Sequence, residues 1–131
     1  MKSVFSKIIQ KEISCHLVAE NDFAIAFMDI QPIALGHVLV VPKLERDYLF
    51  DLDDDIYSQL WNFTKIIQYA IKKVVKCQRI GVSVVGLEVP HAHIHLIPIN
   101  SIDDMNFKNK ISISHDELRV LASKIAQHIT I

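Results

Sequence analysis

The chain is poor in the residues that build linkers and covalent scaffolds. It has three glycines, four prolines and two cysteines among 131 residues. No stretch is rich in glycine, serine or proline, which excludes a flexible linker, and the sequence has no internal repeat. Half of the residues are hydrophobic, which suits one core, so we expect a single domain over residues 1–131.

The cysteines and the N-terminus limit the class of protein further. Cys15 and Cys77 are far apart and lack the spacing of metal ligands. They could form one disulfide, but two reduced thiols are what we expect. Lysines interrupt residues 1–7 too soon for a signal peptide. We therefore expect a cytoplasmic protein.

Long apolar runs and an excess of charge of one sign are also absent. No run approaches the ~20 apolar residues that a membrane-spanning helix needs. Lysine and arginine number 14 and aspartate and glutamate 15, which gives a net charge of −1. Non-specific nucleic-acid binding depends on a basic surface, so this balance argues against it. We expect neither a membrane nor a nucleic acid as a partner.

Short β-rich segments separated by turn residues predict strands. These are expected at residues 15–19, 23–28, 36–42 and 79–85, with a further strand through the histidines described below. Residues 36–42 are apolar on both faces, so this strand is predicted to be central and covered on both sides. Gly86 and Leu87 lie where a tight turn would lead antiparallel into the histidine strand.

Helices complete the predicted elements, beginning with a short one over residues 5–13. A long helix is predicted from one apolar stripe at steps of four and three residues, formed by Ile56, Leu60, Phe63, Ile67, Ala70 and Val74. A last helix begins near Ser114, because Ser114 and Glu117 have capping-box spacing. We predict an α+β fold: an antiparallel sheet of about five strands with the long helix and the C-terminal helix packed against it.

The most informative motif is a run of three histidines. His91, His93 and His95 alternate with the apolar residues Ala92 and Ile94. On a strand this spacing places three imidazoles on one face, whereas a helix would scatter them. Three histidines at this period are hard to explain as core residues, so they are candidates for a functional site.

Two chemistries could use such a face, and the first is zinc binding. A strand rises ~3.3 Å per residue, so His91 and His95 start roughly 13 Å apart and one ion could not join all three rings. A zinc site would therefore need outside ligands, such as His37 and a carboxylate.

The second chemistry is nucleophilic attack on phosphorus. A neutral imidazole is a competent nucleophile near pH 7, because its unperturbed pKa is ~6.5. The central histidine suits this role, since the flanking imidazoles could donate to phosphate oxygens or protonate the leaving group. No metal is required when such donors stabilise the developing charge, so we expect no metal and no cofactor.

Four segments of the sequence resemble the histidine triad (HIT) superfamily of nucleotide hydrolases. They are residues 4–13, 26–32, 36–43 and 89–98, which follow one another in the family's order. The resemblance implies that His93 is the nucleophile, that His91 and His95 support it, and that His37 is a fourth histidine pointing toward the site. It also implies that Asp29 binds the ribose hydroxyls. The base pocket would be lined by Phe5, Ile8, Phe27, Ile30 and Leu39.

The resemblance also implies a substrate class and a partner. The third histidine, His95, favours the hydrolase branches over the nucleotidyltransferase branch, in which glutamine is common at that position. Such hydrolases cleave nucleoside phosphoramidates or dinucleoside polyphosphates through a nucleotidyl-histidine intermediate. The expected partner is a small molecule that contains a purine mononucleotide, and the family is typically a homodimer.

The sequence departs from the family pattern in three places. Before the triad, many members carry a longer loop that ends in Gly-Gln and a hydroxyl residue bonding the phosphate, whereas this chain has Gly86, Leu87 and Glu88. Some members bind a structural zinc through N-terminal cysteines, and Ser3 and Ser6 stand there instead. Residues 100–110 are polar and irregular, and we assign no function to the chain after Asn100. The altered loop keeps a second hypothesis open: a nucleotide-binding or interaction protein with weak catalysis. A zinc-dependent hydrolase is a further alternative.

Overall fold

A five-stranded antiparallel sheet organises the protein. The computed structural model describes residues 2–130 and contains the strands β1 (Leu17–Glu20), β2 (Ala24–Met28), β3 (Val38–Pro42), β4 (Arg79–Ser83) and β5 (Ile94–Ile99). Their order in the sheet is β1-β2-β3-β5-β4, and all neighbours are antiparallel. The predicted α+β fold and its five-stranded sheet are confirmed.

The middle strand, β3, is buried on both faces, as its sequence predicts. Val38 and Val40 belong to the larger core, while Leu39 and Val41 belong to a smaller core on the opposite face. The strand begins two residues later than expected, because Gly36 has a φ of 89°. A Cβ at Gly36 would also lie 2.8 Å from Cγ2 of Val75, so only glycine fits this approach.

Three α-helices pack on the sheet: α1 (Val4–Ile9), α2 (Asp54–Val74) and α3 (His115–Ala126). The apolar stripe of α2 and the inner face of α3 cover the larger core, and α1 covers the smaller one. The Ser114 hydroxyl caps α3 by accepting the Glu117 N–H, as predicted. Helix α1 ends at Ile9 rather than at residue 13, because Lys11 adopts a φ of 65°. None of the helices within residues 2–130 is both long and apolar enough to cross a membrane.

The strand predicted through all three histidines is shorter than expected. β5 begins at Ile94, so only His95 of the three lies on a strand. The His91 N–H donates to the Val89 carbonyl, 2.8 Å away, and Pro90 has no N–H to offer a ladder, so the chain turns here instead of pairing. Ser83 is paired with His95, and residues 84–93 therefore form a long connection rather than a tight turn at Gly86.

Two shorter features concern the rest of the chain. The thiols of Cys15 and Cys77 are both free, as expected. The irregular segment after Asn100 contains a 3-10 turn at Ile102–Met105, capped by Ser101 and Asp104. This turn directs the following residues back toward the sheet face that carries the smaller core.

Candidate active site

A cavity of ≈ 420 Å³ opens beside the smaller core, between α1 and the connection before β5. This volume lies within the usual range of small-molecule sites. The apolar side chains predicted to contact the base all line it: Phe5, Ile8, Phe27, Ile30 and Leu39. Asp29, His93 and His95 line it as well, whereas His37 and His91 are fully buried and do not line it. The fold thus brings two segments that are distant in the sequence, residues 5–39 and 93–95, to one cavity.

The ring of His93 is held in one tautomer. Its Nδ1 lies 2.7 Å from the carbonyl oxygen of His91, and a carbonyl can only accept, so Nδ1 carries the proton. In the neutral ring Nε2 then has the lone pair that a nucleophile needs. The ring of Phe5 packs edge-on against His93 with centroids 4.9 Å apart, which further restricts its orientation.

His37 and His95 form a second, directed chain of hydrogen bonds. The backbone N–H of Ile33 donates to Nδ1 of His37 at 3.1 Å, so the proton of a neutral His37 resides on Nε2. This Nε2 lies 2.9 Å from Nδ1 of His95 and donates to it. The proton of His95 is consequently on Nε2, and His95 offers an N–H donor at the wall of the cavity.

The rings of His37 and His95 are both neutral at pH 7. Burial lowers the pKa of His37 to about 4, although Asp29, whose Oδ2 is 3.4 Å from Nε2, acts in the opposite direction. Burial also lowers the pKa of His95 to about 3, and the neighbouring His37 adds to this effect. Neutral rings are a condition for the donor–acceptor order, since a doubly protonated imidazole has no lone pair to accept a bond.

His91 occupies a different environment from the other two members of the run. Its ring is fully buried, with Nε2 2.7 Å from the Pro42 carbonyl and Nδ1 2.7 Å from the hydroxyl of Ser3. Nε2 therefore donates and Nδ1 accepts from Ser3, and burial lowers the pKa of His91 in keeping with a neutral ring. Because both nitrogens are used, the ring cannot donate to a ligand as expected from the sequence. Its backbone carbonyl, which orients His93, is the part that reaches the site.

Ser3 belongs to a polar cluster that ties α1 to His91. Its hydroxyl caps α1 by accepting the N–H of Ser6, and Glu45 accepts both the Ser3 N–H at 2.7 Å and the Ser6 hydroxyl at 2.6 Å. The hydroxyl of Ser6, followed by the N–H of Ser3, lowers the pKa of Glu45 to about 2. We refer to Ser3, Ser6, Glu45 and His91 as the serine cluster.

In both groups of candidate metal ligands, hydrogen bonds occupy ligand atoms that a metal would need. In the serine cluster, the hydroxyls of Ser3 and Ser6 are already bonded to Glu45 and His91, and zinc sites in proteins use thiolate, imidazole or carboxylate ligands. The nitrogen and oxygen atoms of Asp29, His37 and His95 do lie within 4.8 Å of one another. However, Nε2 of His37 holds a proton because Nδ1 accepts from Ile33, so it has no lone pair for a metal.

Phe107 and Lys110 reach the cavity from a part of the chain to which the sequence analysis gave no function. Phe107 packs against His95, with ring centroids 4.8 Å apart, and Lys110 also lines the cavity, although no function was assigned after Asn100. Glu88, named above as part of a departure from the family pattern, also lines the cavity. No local pattern marks these residues, because each reaches the site through an irregular segment.

Comparison with known sequences identifies the family. The sequence model of the HIT domain matches residues 10–102, which is most of the chain. The chain belongs to the HIT family. An uncharacterized HIT-like protein of Borreliella burgdorferi is 33% identical over 96% of this chain and 97% of its own length. The adenosine 5′-monophosphoramidase of Saccharomyces cerevisiae is 34% identical over 72% of this chain and 61% of the yeast protein.

Solved HIT structures have the same fold. A Hit-like protein of Bartonella henselae involved in cell-cycle regulation superposes with a TM-score of 0.86 at 32% identity, covering 98% of this chain and 96% of the other. A hypothetical histidine triad nucleotide-binding protein of Sulfolobus tokodaii superposes with a TM-score of 0.81 at 26% identity, covering 95% and 90% of the two chains. The HIT resemblance read from the sequence is confirmed.

Proposed function

We propose that this HIT protein hydrolyses nucleoside phosphoramidates or dinucleoside polyphosphates by attack of His93 on the α-phosphorus. The observation that carries the proposal is the bond from His93 Nδ1–H to the His91 carbonyl, which places the lone pair of the neutral ring on Nε2 in a ring that lines the cavity. Nε2 attacks phosphorus, the bond to the leaving group breaks, and a nucleotidyl-histidine forms. Water then releases the mononucleotide; overall its hydroxyl goes to phosphorus and its proton to the leaving group.

The remaining side chains have roles that follow from their hydrogen bonds. His95 donates from Nε2–H to the phosphate oxygens or to the leaving atom, and His37 keeps that proton on Nε2 by donating to Nδ1. His91 acts through its carbonyl and so positions His93. None of these steps uses a metal, so we expect activity to survive a chelator.

The apolar half of the cavity suits a purine base. Phe5 and Phe27 meet edge-on with centroids 5.6 Å apart, and Ile8 and Leu39 complete a buried apolar wall beside them. Asp29 lines the same cavity, and its Oδ2 lies 3.4 Å from Nε2 of His37, the ring that is bonded to His95. A ribose bound by Asp29 would therefore connect the base to a phosphate held at the histidines. Two relatives named adenosine 5′-monophosphoramidase and one named adenylylsulfatase agree with an adenosine-containing substrate.

The test is release of mononucleotide by the purified protein. Wild type should convert adenosine 5′-phosphoramidate or a diadenosine polyphosphate to AMP, and His93→Ala should lose at least about 10³-fold in kcat because the nucleophile is gone. Trapping the nucleotidyl adduct and mapping it to His93 would support the proposal directly. His128→Gln, a change at an exposed position just beyond the end of α3, is the matched control.

One observation favours a second function, nucleotide binding with weak catalysis. Glu88 lines the cavity where a negative charge would oppose a phosphate, and Leu87 beside it has no donor. If wild type and His93→Ala are equally inert while both bind AMP, the hydrolase proposal fails and this one is supported.

We also propose that two copies associate through β4. This strand is a sheet edge; Val82 within it and Val84 directly after it leave 48% and 40% of their surface exposed. An unpaired edge with exposed β-branched residues is a ready site for pairing with a second strand. Light scattering should give the mass of a dimer, and Val82→Lys should shift it toward the monomer; a monomeric wild type would refute the pairing.

A further inference from the structure

The segment that follows the 3-10 turn at Ile102–Met105 closes one side of the cavity. Its position is fixed by the Ile111 N–H, which donates to the Pro32 carbonyl at 2.9 Å, and by Phe107, which packs against His95. Phe107 also lies 6.3 Å from His37 between ring centroids. This segment lies beyond residue 102, where the match to the HIT domain ends.

Lys110 is the charged residue of this segment that lines the cavity. Of the described residues that line the cavity, Lys110 is the one lysine or arginine, and the two carboxylates that line it are Asp29 and Glu88. The ion pairs formed within residues 2–130 do not involve Lys110, so its ammonium is available to a ligand.

The charge of Lys110 acts at the histidine end of the cavity. It is one of the causes, after burial and the neighbouring histidines, that lower the pKa of His95, and it acts on His37 in the same direction. Lys110 and His95 both line the cavity, so the charge and this ring face the same space. This is the end at which a phosphorus bonded by His93 would sit.

In the connection before β5, residues 87 and 88 provide no side-chain hydrogen-bond donor for a phosphate. Leu87 offers no side-chain donor and Glu88 carries a charge of the same sign as a phosphate. His95 offers one neutral N–H. An anionic phosphorus group in this cavity therefore has one source of positive charge among the lysines and arginines that line it, and that source is Lys110.

We propose that Lys110 binds the anionic phosphorus group of the nucleotide and makes the cavity select phosphorylated nucleosides over free nucleosides. The inference rests on the proposed nucleotide site but not on hydrolysis. Phe107 holds the Lys110 segment against His95, and Lys110 supplies the charged donor that the side chains of Leu87 and Glu88 lack. Hydrogen bonds from a charged donor contribute more than neutral ones, and loss of the ammonium should weaken phosphate binding about tenfold.

The test compares AMP with adenosine as ligands, by calorimetry at low ionic strength. Lys110→Met should weaken AMP binding about tenfold while adenosine binding stays within about twofold, because adenosine has no phosphate. Lys110→Arg should keep most of the AMP affinity. Lys108→Met is the matched control: it removes the same charge from the same segment at an exposed position that does not line the cavity.

Three outcomes would overturn the proposal: unchanged AMP affinity in Lys110→Met, equal losses in Lys110→Met and Lys108→Met, or equal losses for AMP and adenosine. Activity measured in parallel separates this proposal from hydrolysis. A protein that is inert but loses AMP affinity in Lys110→Met would support the phosphate role and refute the hydrolase. A protein whose kcat/KM for adenosine 5′-phosphoramidate is the same in wild type and Lys110→Met would do the reverse.

Discussion

Nε2 of His37 lies 2.9 Å from Nδ1 of His95, and the Ile33 N–H on the far side of His37 decides which of the two nitrogens holds the proton. The backbone of the loop after β2 thus sets the protonation of a ring on β5. The same logic applies to His93, whose Nδ1 faces a carbonyl. In this site, the polarity of backbone groups assigns donor and acceptor roles to chemically identical side chains.

Replacement of His37 tests this chain of bonds. His37→Leu should lower kcat about tenfold or more with a smaller change in KM, because His95 loses the donor that fixes its tautomer. His37→Gln, whose amide can still donate, should recover part of the loss. Steady-state kinetics with adenosine 5′-phosphoramidate measures kcat and KM of both variants. Equal kcat in His37→Leu and wild type would refute a role of the His37–His95 hydrogen bond in catalysis.

The buried histidines also predict how stability depends on pH. The pKa of His37 is lowered to about 4 and that of His95 to about 3, whereas in the unfolded chain both are near 6.5, so the unfolded state binds protons first as pH falls. The free energy of unfolding should therefore decline from about pH 6.5 downward, by more than about 2 kcal/mol at pH 4, since one pKa unit corresponds to about 1.4 kcal/mol. Denaturant unfolding at pH 7, 6, 5 and 4 measures the slope. It should be shallower in His37→Leu and unchanged in His128→Gln; identical slopes in all three proteins would contradict the assignment.

Ser3 links helix capping to the active site. Ser3→Ala removes the cap of α1 and leaves Nδ1 of the buried His91 without its donor, so we expect a loss of about 1–3 kcal/mol in unfolding free energy together with lower activity. Ser114 caps α3 far from the cavity, so Ser114→Ala is a matched control that should cost about 1 kcal/mol and leave kcat unchanged. Thermal unfolding and kinetics on both variants decide the point; equal effects on activity would show that the serine cluster has no special link to His93.

Asp29 is expected to bind the ribose hydroxyls of the nucleotide. Its Oδ1 accepts the N–H of Gln31 at 2.8 Å. The other lone pairs of the carboxylate oxygens can accept hydrogen bonds from ribose hydroxyls. Wild type should bind AMP about tenfold more tightly than 2′-deoxy-AMP, and Asp29→Asn should reduce this ratio toward one, because a charged acceptor is lost. Asp103→Asn, at an exposed position after β5, is the control. A ratio that persists in Asp29→Asn would show that another group contacts the 2′-hydroxyl.

Local patterns predicted most of the fold. The apolar stripe from Ile56 to Val74 lies on α2, and the apolar residues of β3 are buried on both faces, because periodicity records which faces must leave water. The predicted secondary structure is wrong where a local hydrogen bond prevents the strand that the alternation of polar and apolar residues predicts. His91 alternates correctly with His93 for a strand, yet its N–H turns back to Val89 and the ladder starts only at Ile94.

The sequence by itself determined the element types, the family and the three histidines that the site uses, since these depend on residue type and spacing along the chain. Only the tertiary structure decided what each histidine does. The partner of His91 Nδ1 is Ser3, 88 residues away, and the partner of His95 Nδ1 is His37, 58 residues away. Proton positions depend on such partners, and so does the arrival of Lys110 beside the cavity. No spacing rule encodes contacts of this kind, because the sheet and its connections must form before these groups meet.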